Sequence, residues 1–218
     1  MNVNLFTTFY VDSSNQRFEE LKYCLRENSK VNFKTIHIVT EDDTVKPIID
    51  ELSSPRICRI DFTEKRPTFN TFFEVMSRGE YKNDLNIICN SDIFFKDLDA
   101  ILGIYEFTEH INNTCLALSR WDILADGREV HFDRADSQDT WVFFGRPRFK
   151  TTIEFGMGVA GCDNRLAHEF QMAGYNVINP SKSVKTFHYH ISNVRNYIEN
   201  GEVKERIPPP YLLVPTQY

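Results

Sequence analysis

The sequence predicts an α/β fold: one domain on a mostly parallel central sheet flanked by helices, with a smaller β region in the second half. Three observations lead there. Strand-like and helix-like segments alternate over the first 95 residues, the pattern of parallel strands with covering helices. Hydrophobic residues make up 41% and charged residues 26%, an ordinary globular balance. A chain of 218 residues is also long enough for one well-filled core.

Val3 to Val11, β-branched and aromatic, reads as a first strand. Asp12-Ser13-Ser14-Asn15 breaks it, and an amphipathic helix follows from Gln16 to Asn28 with Phe18, Leu21 and Leu25 on one face. Lys34 to Thr40 is a second strand, Thr44 to Leu52 a short helix, and Ile57 to Phe62 a third strand. Phe69 to Arg78 is helical, with Phe69, Phe72, Phe73 and Met76 at core spacing. Asn86 to Cys89 is a fourth strand that stops at the polar triplet Asn90-Ser91-Asp92.

Beyond it, Cys115 to Ser119 and Thr140 to Phe144 read as strands separated by a charged loop. A glycine-rich stretch from Gly156 to Gly161 precedes a helix from Asp163 to Ala173, with Leu166, Phe170 and Ala173 inward. Asn176 to Ile178 and Val184 to Tyr189 suit late strands. Residues 1–200 form the expected domain. Residues 201–218, with Pro208-Pro209-Pro210, are a proline-rich tail that acts as a linker or a surface strap.

Composition narrows the function. A net charge of −6 argues against a nucleic-acid binder, because phosphate neutralisation needs a basic face. The five cysteines stand singly, with no C-x-x-C pair, which is neither metal-finger spacing nor a secreted disulfide framework. No secretory leader and no membrane span are recognisable, so a cytoplasmic setting is expected. The glycine motifs of dinucleotide and P-loop sites follow none of the strands.

The chemistry gathers around the triplet. Open α/β sheets bind ligands outside the carboxyl ends of their strands, and the Asp92 carboxylate is a hard ligand suited to Mg2+ or Mn2+. Three further pieces belong with it: Arg66-Pro67-Thr68-Phe69-Asn70, Gly161-Cys162-Asp163-Asn164 and His188-Tyr189-His190. His188 and His190 share one face of a strand. Each piece also has a plain structural alternative. The triplet can be a turn, Asp163 a helix N-cap, and the histidines packed side chains.

In these motifs and their order, the chain resembles the GT-A glycosyltransferases, the nucleotide-sugar-dependent family with a Rossmann-like sheet, over most of residues 3 to 195. It is similar to the small single-domain members of large DNA viruses and bacterial polysaccharide loci. The resemblance puts Asn90-Ser91-Asp92 at the family's Asp-x-Asp motif. Asp163, on a helix ending in Ala173-Gly174-Tyr175, falls at the acidic motif of inverting members, and His188 or His190 at a late histidine ligand. It implies transfer from a nucleotide diphosphate sugar, a UDP-sugar first, to a glycan or glycoconjugate, assisted by Mn2+ or Mg2+. Asp92, His188 and His190 would hold the metal. Thr8, Phe9, Tyr10, Arg66, Asn70, Asn90 and Ser91 would meet the donor with Asp92. Asp163 would be the base, with a rival in Asp136-Ser137-Gln138-Asp139, Asp139 above all. Arg120-Trp121-Asp122 would line the acceptor side, with Trp121 offering a stacking face.

One departure qualifies this. The triplet begins with Asn90, so one of the two usual carboxylates is missing, which suits an ion held weakly and brought in with the nucleotide, or no ion at all. Inversion follows from a base at Asp163, while retention stays open because fold does not set stereochemistry. Two alternatives share the fold: a non-catalytic carbohydrate-binding or assembly module, and a sugar-1-phosphate nucleotidyltransferase. The second is disfavoured because Tyr10-Val11-Asp12-Ser13-Ser14-Asn15 contains no glycine.

Overall fold

The structure, a computed structural model, describes residues 1–52, 58–78, 81–192, 194, 198–199 and 202–218. Its strands are β1 (Val3–Thr8), β2 (Thr35–Thr40), β3 (Cys58–Phe62), β4 (Leu85–Cys89), β5 (Ile93–Phe94), β6 (Thr114–Leu118), β7 (Trp121–Ile123), β8 (Glu129–His131), β9 (Thr140–Phe144), β10 (Asn176–Ile178), β11 (Phe187–His188), β12 (Ile198–Glu199) and β13 (Glu202–Val203). Its helices are α1 (Asn15–Asn28), α2 (Lys46–Leu52), α3 (Phe69–Ser77), α4 (Asp99–Phe107) and α5 (Cys162–Met172).

Seven strands form the central sheet in the order β10-β6-β9-β4-β1-β2-β3. All run the same way except β9, which is antiparallel to both β4 and β6. A smaller sheet, β5-β11-β7-β8, stands beside it. Alternation along the strands builds two cores. Leu5, Ile36, Ile38, Ile87, Leu116 and Val142 face α1, α2 and α4, while Phe6, Val39, Ile88, Ala117, Trp141 and Phe143 face α3 and α5. Strands buried on both faces read as near-continuous apolar runs, as Leu85–Cys89 does apart from Asn86.

The chain moves outward from β1 through β2 to β3, then crosses back through α3 to place β4 on the other side of β1. The strand order therefore reverses between β1 and β4, and such a switch point opens a crevice at the strands' carboxyl ends. Thr8 and Tyr10 follow β1 there, and Asn90-Ser91-Asp92 follow β4.

Several elements differ from their expected bounds for local reasons. The first strand stops at Thr8, not Val11, because the Thr40 hydroxyl takes the Phe9 carbonyl (2.7 Å) and draws the chain out of the ladder. The helix expected from Thr44 begins as a 3₁₀ turn, Asp43–Val45, capped by Asp42. The late strand shrinks to Phe187–His188, because Ser183 and Val184 donate back to the Pro180 carbonyl in a turn. Ile57, the expected start of the third strand, lies outside the described residues.

The C-terminal segment is laced onto the domain. Ile207 donates to Ala160, Leu212 to Asn164, Val214 to Ala135 and Gln217 to Asn179, all through backbone N–H groups. It thereby braces the loop before β9 and the start of α5.

Candidate functional site

The crevice between β1 and β4 widens into a cleft of about 810 Å³. Asp92 lies on its wall, buried to 9% exposure. Its Oδ2 accepts from Arg17 Nη2 at 2.6 Å, and His188 Nε2 stands 3.2 Å away. His190 Nδ1 is 3.8 Å from the same oxygen. One ligand atom from each of Asp92, His188 and His190 can be chosen so that all lie within 4.8 Å of one another. Because β11 presents His188 and the chain leaves it extended, residues two apart share a face.

A line of charged groups extends in both directions. His188 Nδ1 meets Asp122 Oδ1 at 2.6 Å, and Arg120 Nε donates to that same oxygen at 2.8 Å. Arg120 Nη1 donates to Asp139 Oδ2, and Asn90 Nδ2 to Asp139 Oδ1. At the other end, Arg17 Nη1 donates to Glu20, whose carboxylate also accepts the N–H groups of Ile191 and Ser192. Four carboxylates (Asp92, Asp122, Asp139 and Glu20) thus face two guanidiniums. Carboxylates orienting a histidine in this way fix which ring nitrogen faces a metal.

Titration follows from these neighbours. Burial pushes the Asp92 carboxyl up, but His188 and Arg17 overcome it and hold the group well below the usual carboxylate range. Burial alone would lower His188, yet the Asp92 charge and the bonds to Asp122 and Asp92 lift it to about 9. His190 is lowered by burial and by the Arg17 charge, which keeps it neutral.

Polar atoms left without a partner concentrate here. Among the described residues, Asn90 Oδ1, Asp92 Oδ1, Gln138 Oε1, Trp141 Nε1, Asn164 Oδ1 and His190 Nε2 are buried and unbonded, and all six residues line the cleft. Protein interiors leave few such atoms, so their clustering points to a ligand. Two of them, Asp92 Oδ1 and His190 Nε2, are a hard oxygen and an imidazole nitrogen. With His188 they make a mixed carboxylate and imidazole donor set of the kind that holds a divalent cation.

Asp163 sits across the cleft as the second residue of α5. It is not the N-cap: Gly161 takes that place in the left-handed region (φ 81°). A Cβ on Gly161 would lie 2.9 Å from Tyr211 Oη and 3.1 Å from the Ile207 carbonyl, so only glycine fits beneath the C-terminal segment. Asp163 Oδ1 accepts from the Asn164 N–H (3.0 Å) and Oδ2 from the Gln138 N–H (3.3 Å). Burial raises its carboxyl and the Asp139 charge adds to this; the two N–H bonds pull back, leaving it at about 6.

The structure brings together Thr8, Tyr10, Arg66, Asn90, Ser91, Asp92, Asp139, Asp163, His188 and His190 along one cleft. Arg66 is anchored by one nitrogen on the Met157 carbonyl (2.8 Å). Three expectations need correction. Phe9 points into the core at 2% exposure, because Thr8 and Tyr10 take the cleft side. Asn70 is not in the cleft; it binds Glu74 one helical turn on. Trp121 is held away by its indole bond to the Ser181 carbonyl and by Lys185 over its ring. Besides Tyr10, Phe132 and Trp141 are aromatic residues in the lining of the cleft.

Arg17 and Glu20 escape sequence reasoning. A signal existed: Arg17 lies in the first turn of α1, where the helix dipole disfavours a cation. A buried cation there requires an anion from elsewhere in the fold.

No protein-family profile matches this chain, and no curated protein matches it in sequence. Its structure is similar to TarS 1–349 from S. aureus in complex with UDP-GlcNAc (TM-score 0.55, 12% identity, 89% of this chain and 60% of that one). It is also similar to the mannosyltransferase PcManGT from Pyrobaculum calidifontis in complex with GDP-Man and Mn2+ (TM-score 0.57, 12% identity, 90% and 58%). The chain thus spans about 60% of the length of these two chains. It has the GT-A glycosyltransferase fold, a Rossmann-like sheet flanked by helices with a smaller second sheet. No helix among the described residues is long and apolar enough to cross a membrane.

Proposed function

We infer that the chain is a glycosyltransferase that takes a sugar from a nucleotide diphosphate sugar, a UDP-sugar first, and passes it to a hydroxyl of a glycan or glycoconjugate. One observation carries the reading. A carboxylate–imidazole group with unbonded ligand atoms and a half-buried carboxyl titrating at about 6 face one cleft at the sheet's switch point. Two solved structures of this fold, holding UDP-GlcNAc and GDP-Man with Mn2+, add support.

In this reading the nucleotide lies at the end of β1 against Thr8 and Tyr10. Its diphosphate runs past Asn90 and Ser91 toward Asp92, within reach of the Arg66 guanidinium, which also lines the cleft. Asp92, His188 and His190 would hold the Mn2+ or Mg2+, His188 giving up its Nε2 proton on binding, and the ion would supply Lewis-acid stabilisation for charge on the departing diphosphate. Asp122, bonded to Nδ1, keeps His188 turned so that Nε2 points toward Asp92, where it would be available to an ion.

Asp163 takes the proton of the acceptor hydroxyl. A carboxyl titrating at about 6 is ionised at neutral pH yet more basic than an exposed aspartate, and such a base contributes about 10²–10⁴ in rate. Asp139 is less suited, because the Arg120 guanidinium holds it in a charge-assisted bond, whereas Asp163 meets only backbone N–H groups. A base opposite the donor gives inversion at the anomeric carbon. Release of nucleotide diphosphate from a panel of UDP- and GDP-sugars, with Mn2+ and mixed glycan acceptors, tests this. Acceptor-stimulated release that Asp163→Asn abolishes is expected; a panel with no release from any donor would reject the transferase.

A further inference from the structure

Arg17 occupies a place that the metal reading leaves unexplained. Its Nη2 lies 2.6 Å from Asp92 Oδ2, closer than either imidazole. Asp92 is the one carboxylate of the proposed ion site, and a full positive charge already rests on it. Both side chains are buried, at 7% and 12% side-chain exposure, so water screens the pair weakly. Arg17 is also held from behind: its Nη1 donates to Glu20, and Glu20 binds the backbone N–H groups of Ile191 and Ser192, just past His190. The guanidinium is thus built into the wall of the site.

We propose that Arg17 is the resident counter-ion of Asp92, keeping divalent-ion affinity low until a nucleotide diphosphate arrives and shares its guanidinium. This rests on the glycosyltransferase reading. A divalent ion beside Asp92 meets the Arg17 charge across a few ångströms of poorly screened protein, and the repulsion offsets much of the carboxylate's attraction. Asn90 adds no negative charge to compensate. A diphosphate supplies that charge, accepting hydrogen bonds from Arg17 in place of Asp92 and coordinating the ion at once. Asp92 Oδ1 and His190 Nε2, both unbonded among the described residues, stay available without any rearrangement of the strands. Ion and diphosphate then bind with positive coupling, and by linkage each tightens the other equally.

The test is a Mn2+ titration followed by the EPR signal of free Mn2+, with and without UDP or GDP, on wild type, Arg17→Met and Arg17→Lys. Wild type should bind Mn2+ weakly alone and at least about tenfold more tightly with nucleotide, within the usual range of coupling. Arg17→Met, which keeps the aliphatic stem and removes the charge, should bind Mn2+ alone at least about tenfold more tightly, from the Coulomb term removed. Arg17→Lys should behave as wild type. A folded Arg17→Met protein with unchanged Mn2+ affinity would overturn the proposal and leave the donor reading standing. If Arg17→Met does not fold, wild type decides: equal Mn2+ affinity with and without nucleotide overturns the proposal. Mn2+ binding that neither nucleotide alters in any of the proteins sinks the donor reading and the proposal together.

Discussion

Replacing Asp163 by asparagine should make the protein more stable and less active at the same time. A carboxyl that titrates at about 6 in the fold rather than at 3.8 holds its proton longer folded than unfolded. Its contribution to stability is therefore full below pH 3.8 and lost as pH rises through 6. At pH 8 the ionised group costs about 3 kcal/mol, at 1.36 kcal/mol per pH unit. Asparagine removes that cost but can accept from only one of the Asn164 and Gln138 N–H groups, a loss of about 1 kcal/mol. The net gain is about 2 kcal/mol, or roughly 4–8 °C for a chain of this size. At pH 4.5 the wild-type cost has fallen to about 1 kcal/mol, so the two proteins should melt together. Thermal melts at both pH values measure this, and turnover of the variant should fall at least about 100-fold. A variant no more stable than wild type at pH 8, or one that turns over normally, would refute the case for Asp163 as a raised-pKa base.

Gly161→Ala should destabilise the fold by about 2 kcal/mol or more, since a Cβ at a φ of 81° collides with Tyr211 and the Ile207 carbonyl; denaturant unfolding reads it, and an unchanged midpoint would mean that the C-terminal segment gives way freely. Asp122→Asn removes the carboxylate that turns His188, and Mn2+ affinity measured with UDP present should weaken by about 10–100-fold, while no change would show that His188 needs no orienting partner.

Much of this arrangement is legible in the residues. Leu85–Cys89 reads as a buried strand because every position is apolar except Asn86, and Asn90-Ser91-Asp92 stands out by contrast. The helix after Gly161 shows itself by Leu166 and Phe170 at helical spacing and by Gly174 at its end. What is not legible depends on distance along the chain. Arg17 and Asp92 are 75 residues apart, and only the packing of α1 against β5 brings them together. Phe9 and Tyr10 are interchangeable in composition, and only the register of β1 sends one inward and the other to the cleft. Asn70 has the right element but the wrong side of it, because Glu74 lies one turn away on the exposed face. Strands β5, β7 and β8 have two or three residues each, too few for any alternation to be seen. Helix α4 lacks a side-chain cap and carries Gly103 within it, so neither its start nor its interior announces a helix.

The central claim is that Asp92, with His188 and His190, makes this cleft bind a nucleotide diphosphate through a divalent ion. Calorimetric titration of UDP and GDP into wild type and Asp92→Asn, each with Mn2+ and with EDTA, addresses it directly. Wild type should bind one of the nucleotides with Mn2+ and lose at least about tenfold in affinity with EDTA, while a folded Asp92→Asn variant should show only the weak, metal-independent level. Nucleotide binding that is absent, or the same in all four conditions, would contradict the account.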